Sequence, residues 1–253
     1  MESGRSSEDR RQQIAGKLIS QANELWKRST VPVPFTRDEA ANRFLNDIEK
    51  YPHGYVLGCI MDRQITAEVA WLIPYKVCVF AGGFDFNLLK TVPLSDLRNL
   101  IHHRAQNMPE YFQQAIERID RVYMGDASKI WEGNPSSATI VRRFLEFAGV
   151  GPKIASMGAN ILVRDFKISV SDRYSIDISV DIHIRRVFKR LGLVRPEARD
   201  EEIIYTAREL NPEYPGIFDI PTWDLGKLIC RARNPDCSRC FMYACCPKLI
   251  APQ

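Results

Sequence analysis

Four cysteines near residue 240 constrain the fold of this chain most strongly. They follow the pattern Cys230-x6-Cys237-x2-Cys240-x5-Cys246, so four thiols within 17 residues can surround one inorganic centre. Structural zinc sites usually pair two short Cys-x2–4-Cys hooks, whereas one short hook between longer arms favours an iron–sulfur cluster. Disulfides are the least favoured interpretation, because we expect no export signal in the polar N-terminal residues. Cys245 is a fifth thiol, which could replace Cys246 as a ligand or stay free.

Composition indicates a folded, mildly basic protein. Hydrophobic residues make up 45% of the chain, which is enough to form a sizeable core. The formal net charge of +4 permits nucleic-acid binding but does not demonstrate it. No apolar run approaches the roughly 18–20 residues that cross a bilayer. We therefore expect a cytoplasmic, nucleoid-associated protein, or a nuclear one in a eukaryote.

Apolar residues recur at helical spacing along most of the chain, which predicts an all-α fold. Residues 55–61 are apolar on every side and predict a buried central helix. Thr36 and Glu39 predict a capping box at the start of the preceding helix. Residues 167–180 differ, because apolar and polar residues alternate there, and this alternation predicts a small β-hairpin or an extended loop.

Two predicted helices meet at a glycine turn, Gly149-Val150-Gly151. Glycine permits the positive φ of a sharp turn and a close approach of the backbone to an anion. The free N–H groups and the dipole at the start of the second helix favour a phosphate. The segment is either a sequence-independent phosphate site or an ordinary connection between helices.

The glycine turn and the cysteines resemble two motifs of the helix–hairpin–helix DNA glycosylase superfamily. The cysteine spacing is similar to the iron–sulfur signature of its endonuclease III and adenine-mismatch glycosylase branch. The turn resembles that family's hairpin, Leu-Pro-Gly-Val-Gly-x-Lys-x-Ala. The matching residues are Gly149, Val150, Gly151, Lys153 and Ala155, and the departures are Phe147 and Ala148. Pro152 also removes one backbone N–H from the turn.

A third motif lies between these two along the chain. The segment Val180-Asp181-Ile182-His183-Ile184-Arg185-Arg186-Val187 resembles the family's Val-Asp-Thr-His-x-x-Arg-Val sequence. By this resemblance Asp181 is the catalytic carboxylate, which stabilises positive charge on the sugar as the base leaves. Asp181 also directly precedes a helical pattern, so the sequence predicts a helix N-cap at the same residue.

The resemblance implies an architecture of two helical domains. Residues 32–165 are expected to form a six-helix barrel that contains the helix–hairpin–helix. Residues 1–31 and 166–253 are expected to form an iron–sulfur cluster domain, with a [4Fe–4S] cluster on the four cysteines. The glycines of the hairpin and the cations around the cluster are the implied DNA-backbone contacts: Gly149, Gly151, Lys227, Arg231, Arg233 and Arg239.

The resemblance also implies the chemistry of Lys153, which takes the position of the family's catalytic lysine. A neutral amine there attacks C1′ of the damaged nucleotide, displaces the base and leaves a Schiff base, from which the strand is cut by β-elimination. The alternative is an exposed lysine that binds phosphate as a point charge.

A loop near residue 64 resembles the family's Ser-x-Gln-x-Thr region, whose glutamine fills the gap left by an extruded base. Gln64 is the expected gap-filling residue, and Arg63 is the alternative. Asp62 departs from the family's small residue at its position. His102, His103 and Tyr111 are expected near the base pocket.

The predicted function is a bifunctional glycosylase and AP lyase that acts, as a monomer, on double-stranded DNA with a damaged base. Oxidised pyrimidines are the expected lesion class. One alternative is a monofunctional glycosylase for uracil, mismatched or alkylated bases that uses water activated by Asp181. Another alternative is a DNA-binding module for damaged DNA without catalysis.

Overall fold

The computed structural model describes residues 2–28, 32–102 and 104–249. Every regular element in these residues is helical, which confirms the predicted all-α class. None of the helices described is long and apolar enough to span a membrane. The α-helices are α1 (Glu2–Arg28), α2 (Glu39–Asn46), α3 (Pro52–Met61), α4 (Ala67–Phe80), α5 (Phe86–Leu89), α6 (Leu94–Leu100), α7 (Met108–Tyr123), α8 (Ser137–Leu145), α9 (Pro152–Arg164), α10 (Ile182–Arg190), α11 (Asp200–Leu210) and α12 (Asp219–Asp224).

The chain divides into two compact units, residues 29–171 and residues 1–28 with 172–253. The sequence analysis placed the corresponding boundaries after residues 31 and 165. Residues 29–31, beside the first of these boundaries, lie outside the described part of the chain. The predicted domain assignment stays a prediction.

Helix α3 is the centre of the unit formed by residues 29–171. All ten of its residues are buried, as their apolar run predicted. Its Tyr55 hydroxyl donates to the carbonyl oxygen of Gly158 in α9 over 2.7 Å. A Cβ on Gly58 would come within 2.4 Å of the Trp71 ring in α4, so that glycine lets α4 pack closely. These contacts fix the helix that leads into the loop at residues 62–65.

The second unit packs α1 and the C-terminal helices around one apolar core. Ile14 and Leu18 of α1 meet Ile184, Val187 and Phe188 of α10 in this core. A π-helical turn, Leu225–Ile229, follows α12 directly and ends at the first cysteine of the motif. Residue 230 therefore lies at the surface of the same core that holds α10.

Of the two predictions for residues 167–180, the β-hairpin is wrong, because no strand is assigned in this segment, and the extended loop is confirmed. The alternation is nevertheless real: Ile176 and Ile178 are buried in the core of their unit. Their extended backbone bonds to helix-flanking groups instead of to a second strand. Gly216 N–H donates to the Ile176 carbonyl over 2.7 Å, and Ser179 N–H donates to Asp219 Oδ1 over 3.1 Å.

Candidate functional site

The turn between α8 and α9 has two glycines with different structural requirements. Gly149 has a φ of +77°, and a Cβ there would lie 2.7 Å from the Tyr111 ring, so both backbone and packing require glycine. Gly151 has a φ of −104°, and a Cβ there would meet no atom of the described residues within 4 Å. No contact within this part of the chain requires glycine at 151, and its open side leaves room for a ligand to approach the backbone.

The start of α9 keeps its backbone donors available. Pro152 occupies the first turn and has no N–H, and no side chain caps the helix. The amides of Lys153 and Ile154 have no partner inside the helix because of their position in the first turn. With the helix dipole they form a favourable place for an anion. The Lys153 side chain is exposed on this turn.

The loop at residues 62–65 follows α3 and contains two candidate side chains, which have different surroundings. Gln64 is exposed, and its backbone adopts the left-handed region with a φ of 56°. Arg63 is bent back onto the ring of Tyr111, with its guanidinium carbon 5.4 Å from the ring centre. The Asp62 carboxylate accepts a hydrogen bond from the Trp71 indole N–H over 3.2 Å, which accounts for the acidic residue at that position.

Asp181 is the N-cap of α10, as its position before a helical pattern predicted. Its Oδ1 accepts hydrogen bonds from the amides of His183 and Ile184, each over 2.8 Å. The side chain is half-buried. Because one oxygen receives both capping bonds, the cap holds the carboxylate in a fixed orientation while Oδ2 stays available for other contacts.

Four of the five clustered cysteines line one small cavity. Cys230, Cys237, Cys240 and Cys246 surround it, together with Val187, Arg190 and Leu191 from the end of α10. Cys245 lies elsewhere: it is buried in the core, and its thiol donates to the Met242 carbonyl over 3.4 Å. Neighbouring cysteines thus have separate environments, one facing the cavity and one facing the core.

The thiols that line the cavity are ligands of the kind found in structural zinc sites and in iron–sulfur clusters. Among the described residues, no three His, Cys, Asp or Glu side chains are grouped closely enough to hold a single metal ion. Two N–H groups already point at sulfur: Lys248 N lies 3.3 Å from Cys246 Sγ, and Arg190 Nη1 lies 3.5 Å from Cys230 Sγ. Such N–H···S contacts are typical around iron–sulfur clusters. Burial raises the pKa of the Cys240 and Cys246 thiols in the absence of a cation.

Two arginines of α10 hold the segment around the first cysteine, which sequence reasoning missed. Arg186 donates to the carbonyls of Cys230 over 2.9 Å and Gly226 over 2.7 Å. Arg190 donates to the carbonyls of Arg231 over 2.7 Å and Ala232 over 3.0 Å. The sequence signal was a run of basic residues on α10, which also fits a solvated helix face. These guanidinium groups are instead occupied within their own unit.

The cations predicted to contact DNA near the cysteines are exposed. Lys227 Nζ lies 4.3 Å from the centre of the Trp223 ring. Arg231 donates to the Asn234 carbonyl over 3.2 Å, and Arg239 approaches Asp236 at 3.7 Å. Arg233 is exposed on the same loop.

The predicted site residues are distributed over both units. Gly149, Lys153 and the loop with Arg63 belong to the unit of residues 29–171, and Tyr111 lies against the same hairpin. Asp181 and the cysteines belong to the other unit. The resemblance implies that Lys153 and Asp181 act in one site, and this stays a prediction. His102 is exposed, and His103 lies outside the described residues.

Comparison with known proteins identifies relatives of one kind. No family model matches the sequence. It is 27% identical over 155 residues to endonuclease III of Thermotoga maritima, covering 61% of this chain and 64% of that protein. It is 31% identical over 115 residues to an endonuclease III homolog of Encephalitozoon cuniculi, covering 44% of this chain and 42% of that protein. The chain thus aligns with less than two thirds of the length of these relatives.

The fold extends this similarity over almost the whole chain. A solved structure of a trapped covalent intermediate between endonuclease III and DNA superposes with a TM-score of 0.63 at 18% sequence identity. The superposition covers 94% of this chain and 96% of that one. The chain is thus similar in sequence to endonuclease III proteins and shares their fold, in agreement with the family that its motifs resemble.

Proposed function

We propose that this chain is a base-excision repair DNA glycosylase that is also an AP lyase. The observation that carries the proposal is the position of Lys153. Its side chain is exposed on the first turn of α9, two residues after Gly151, whose backbone is open to a ligand. This arrangement supports an amine held next to a phosphate-binding hairpin. Endonuclease III relatives support the same class of activity.

The proposed reaction begins when the damaged nucleotide is extruded from the duplex and Gln64 fills the gap, a step that costs a few kcal/mol. The neutral Lys153 amine attacks C1′, the bond from C1′ to the base breaks, and the base leaves with the bonding electrons. Loss of the amine proton and opening of the sugar ring give a Schiff base. Loss of a proton from C2′ then expels the 3′ phosphate by β-elimination.

Asp181 supplies the negative charge in this proposal. Positive charge develops on the sugar as the base leaves, and a carboxylate fixed by two amide hydrogen bonds can stabilise it without reorganising. Its Oδ2 is the oxygen that points away from the capping bonds. Oxidised pyrimidines in double-stranded DNA are the proposed substrates of a monomeric enzyme, working in the nucleoid or the nucleus.

The thiols of Cys230, Cys237, Cys240 and Cys246 are the proposed ligands of a [4Fe–4S] cluster. Such a cluster would supply structural cross-linking of the loop at residues 230–246. Arg190 and the Lys248 amide would then donate to ligand sulfurs. Exposed cations on this loop and on the turn before it, Lys227, Arg231 and Arg233, are proposed to contact DNA phosphates.

Borohydride trapping tests this function. The wild-type protein is incubated with duplexes that carry oxidised pyrimidines, uracil or an abasic site, and the Schiff base is reduced. We expect a covalent complex with wild type and none with Lys153→Ala. Lys76→Ala is the control, because Lys76 is also exposed but lies on α4. Base release without a trapped complex would favour the monofunctional alternative, and damaged-DNA binding with no product would favour the non-catalytic one.

A further inference from the structure

Arg63 is a half-buried cation held beside the glycine hairpin. Its Nη2 donates to the Ile60 carbonyl over 3.1 Å, and its guanidinium lies over the Tyr111 ring. A Cβ on Gly149 would lie 3.0 Å from Arg63 Nη1, so this nitrogen reaches the turn itself. The side chain is thus fixed against the hairpin instead of extending from its loop.

The charge of Arg63 lacks a counter-charge among the described residues. Its Nε is buried without a hydrogen-bond partner, and burial lowers its pKa, with Tyr111 the one ionisable neighbour that opposes this. Asp62, the neighbour of Arg63 in sequence, accepts from Trp71, and Glu110, the neighbour of Tyr111 in sequence, pairs with Arg98 at 2.7 Å. A desolvated cation without a counter-charge costs free energy, and an external anion would reduce that cost.

The hairpin indicates which anion fits. Its backbone is open at Gly151, and the amides at the start of α9 favour a phosphate. Pro152 removes one donor from this set, so fewer amides are available than in a turn without proline. A guanidinium beside Gly149 restores a donor and adds a full positive charge, and its planar fork suits phosphate oxygens.

We propose that Arg63 binds a DNA backbone phosphate jointly with the hairpin amides. This inference rests on the proposed function, because it takes DNA as the ligand. It gives neighbouring residues in one loop different tasks: Arg63 belongs to the phosphate site, and the exposed Gln64 remains the residue that enters the duplex. Tyr111 is then a positioning residue, which holds the guanidinium against the turn.

A salt titration of DNA binding tests this role. Wild type, Arg63→Met and Arg63→Gln are compared on a duplex with a tetrahydrofuran abasic-site analogue, from about 50 to 200 mM KCl. We expect the charge-removing variants to bind roughly tenfold more weakly. The slope of log Kd against log salt should fall by about 0.9, the value for one phosphate. Arg63→Lys should keep the slope and bind with intermediate affinity.

Arg121→Met is the matched control. Arg121 is an exposed arginine at the other end of α7 from Tyr111, about 15 Å away along the helix, and its loss should leave the slope unchanged. Thermal unfolding of each variant verifies that it folds, and Arg63→Gln serves if Arg63→Met does not.

Three results would overturn the role of Arg63. An unchanged slope and affinity in both charge-removing variants would exclude the phosphate contact while leaving the proposed function intact. Weakening that depends on the base opposite the lesion, with an unchanged slope, would mean that Arg63 reads a base instead. No binding of DNA by the wild-type protein would remove the proposed function and this inference together.

Discussion

Three aromatic rings surround the imidazole of His53 near the start of α3, those of Phe44, Tyr51 and Phe86. The imidazole is buried, and its Nε2 has no hydrogen-bond partner in the part of the chain that the structure describes. Burial lowers the pKa of His53 to about 4, although a hydrogen bond to the Phe84 backbone and the charge of Asp85 oppose the shift. The folded state therefore holds this histidine neutral.

The lowered pKa of His53 predicts a pH-dependent stability. The pKa of His53 in the folded state lies below its unfolded value of about 6.5. The contribution of the neutral imidazole to the free energy of unfolding, up to about 3 kcal/mol, is therefore complete above pH 6.5 and is lost as the pH falls towards 4. Urea unfolding at pH 7, 5.5 and 4.5 measures it. His53→Gln should flatten the profile, and His102→Gln, which removes an exposed histidine, should not. An equally steep profile in His53→Gln would contradict the assignment.

Adjacent cysteines offer a second test at the scale of single residues. Cys246 lines the cavity, whereas Cys245 faces the core. Cys246→Ser should lose bound iron and sulfide, because a serine oxygen is a poor replacement for thiolate. Cys245→Ser should retain them, because the side chain of Cys245 faces the core and not the cavity. The measurement is the content of iron and sulfide per chain in each variant. Loss from Cys245→Ser with retention in Cys246→Ser would show that Cys245 is the ligand.

Sequence reasoning at this scale succeeded where a residue acts on its immediate neighbours. The N-cap at Asp181 was predictable, because a capping side chain binds amides two or three residues later. The capping box at Thr36 was wrong: α2 begins at Glu39, and Asp38 caps it through the Ala41 amide. The Thr36 hydroxyl bonds to the Asp38 carbonyl and to Asn42 instead. Thr36 and Asp38 each carry an oxygen that could cap the first amides of α2. The packing of the chain that precedes α2 selects Asp38.

Helix α10 connects the proposed catalytic carboxylate to the cysteine loop. Asp181 caps its first turn, and Arg186 and Arg190 from its later turns hold carbonyls around Cys230. A displacement of the loop therefore acts on the same rigid element that orients Asp181. The hydrogen bonds of Arg186 and Arg190 thus couple the cysteine loop to α10. The spacing of the cysteines in the sequence did not predict this coupling.

Arg190→Gln tests this connection. The variant loses the donors to Cys230 Sγ and to the Arg231 and Ala232 carbonyls, so we expect roughly tenfold faster loss of iron to a chelator. Arg185→Gln is the control on the same helix, because Arg185 pairs with Asp200 at 2.7 Å and does not contact the loop in the described structure. Equal rates in the two variants would show that Arg190 does not support the cysteine site.

The type of an element was predictable where one hydrophobic period dominates its segment. It was not predictable where the same pattern fits several kinds of structure. The apolar run at 55–61 could only be a buried segment, and it is the buried helix α3. The alternation at 176–180 reports the burial of Ile176, Ile178 and Val180, but it does not specify the bonding partner of the backbone. That partner is Asp219 for the Ser179 amide, a residue 40 positions away that no local pattern identifies.

At the scale of the whole molecule, the proposal joins residues from both units. The hairpin, Lys153 and Arg63 belong to one unit, and Asp181 and the cysteines belong to the other. Each motif was readable in the sequence because its residues are neighbours along the chain. The proposed combination of these motifs into one active site has no local signal, and that proposal rests on the resemblance to a family. A measurement of activity on DNA therefore tests the proposed function.

Base release by wild type and by Asp181→Asn measures that activity most directly. Asparagine retains the helix cap but removes the negative charge, so a loss of activity reports chemistry and not unfolding. On a panel of duplexes with single lesions, we expect wild type to release at least one damaged base under single-turnover conditions. Asp181→Asn should be slower by about 100-fold or more, with unchanged thermal stability. Release of no base from any lesion, or equal rates for the two proteins, would contradict the account.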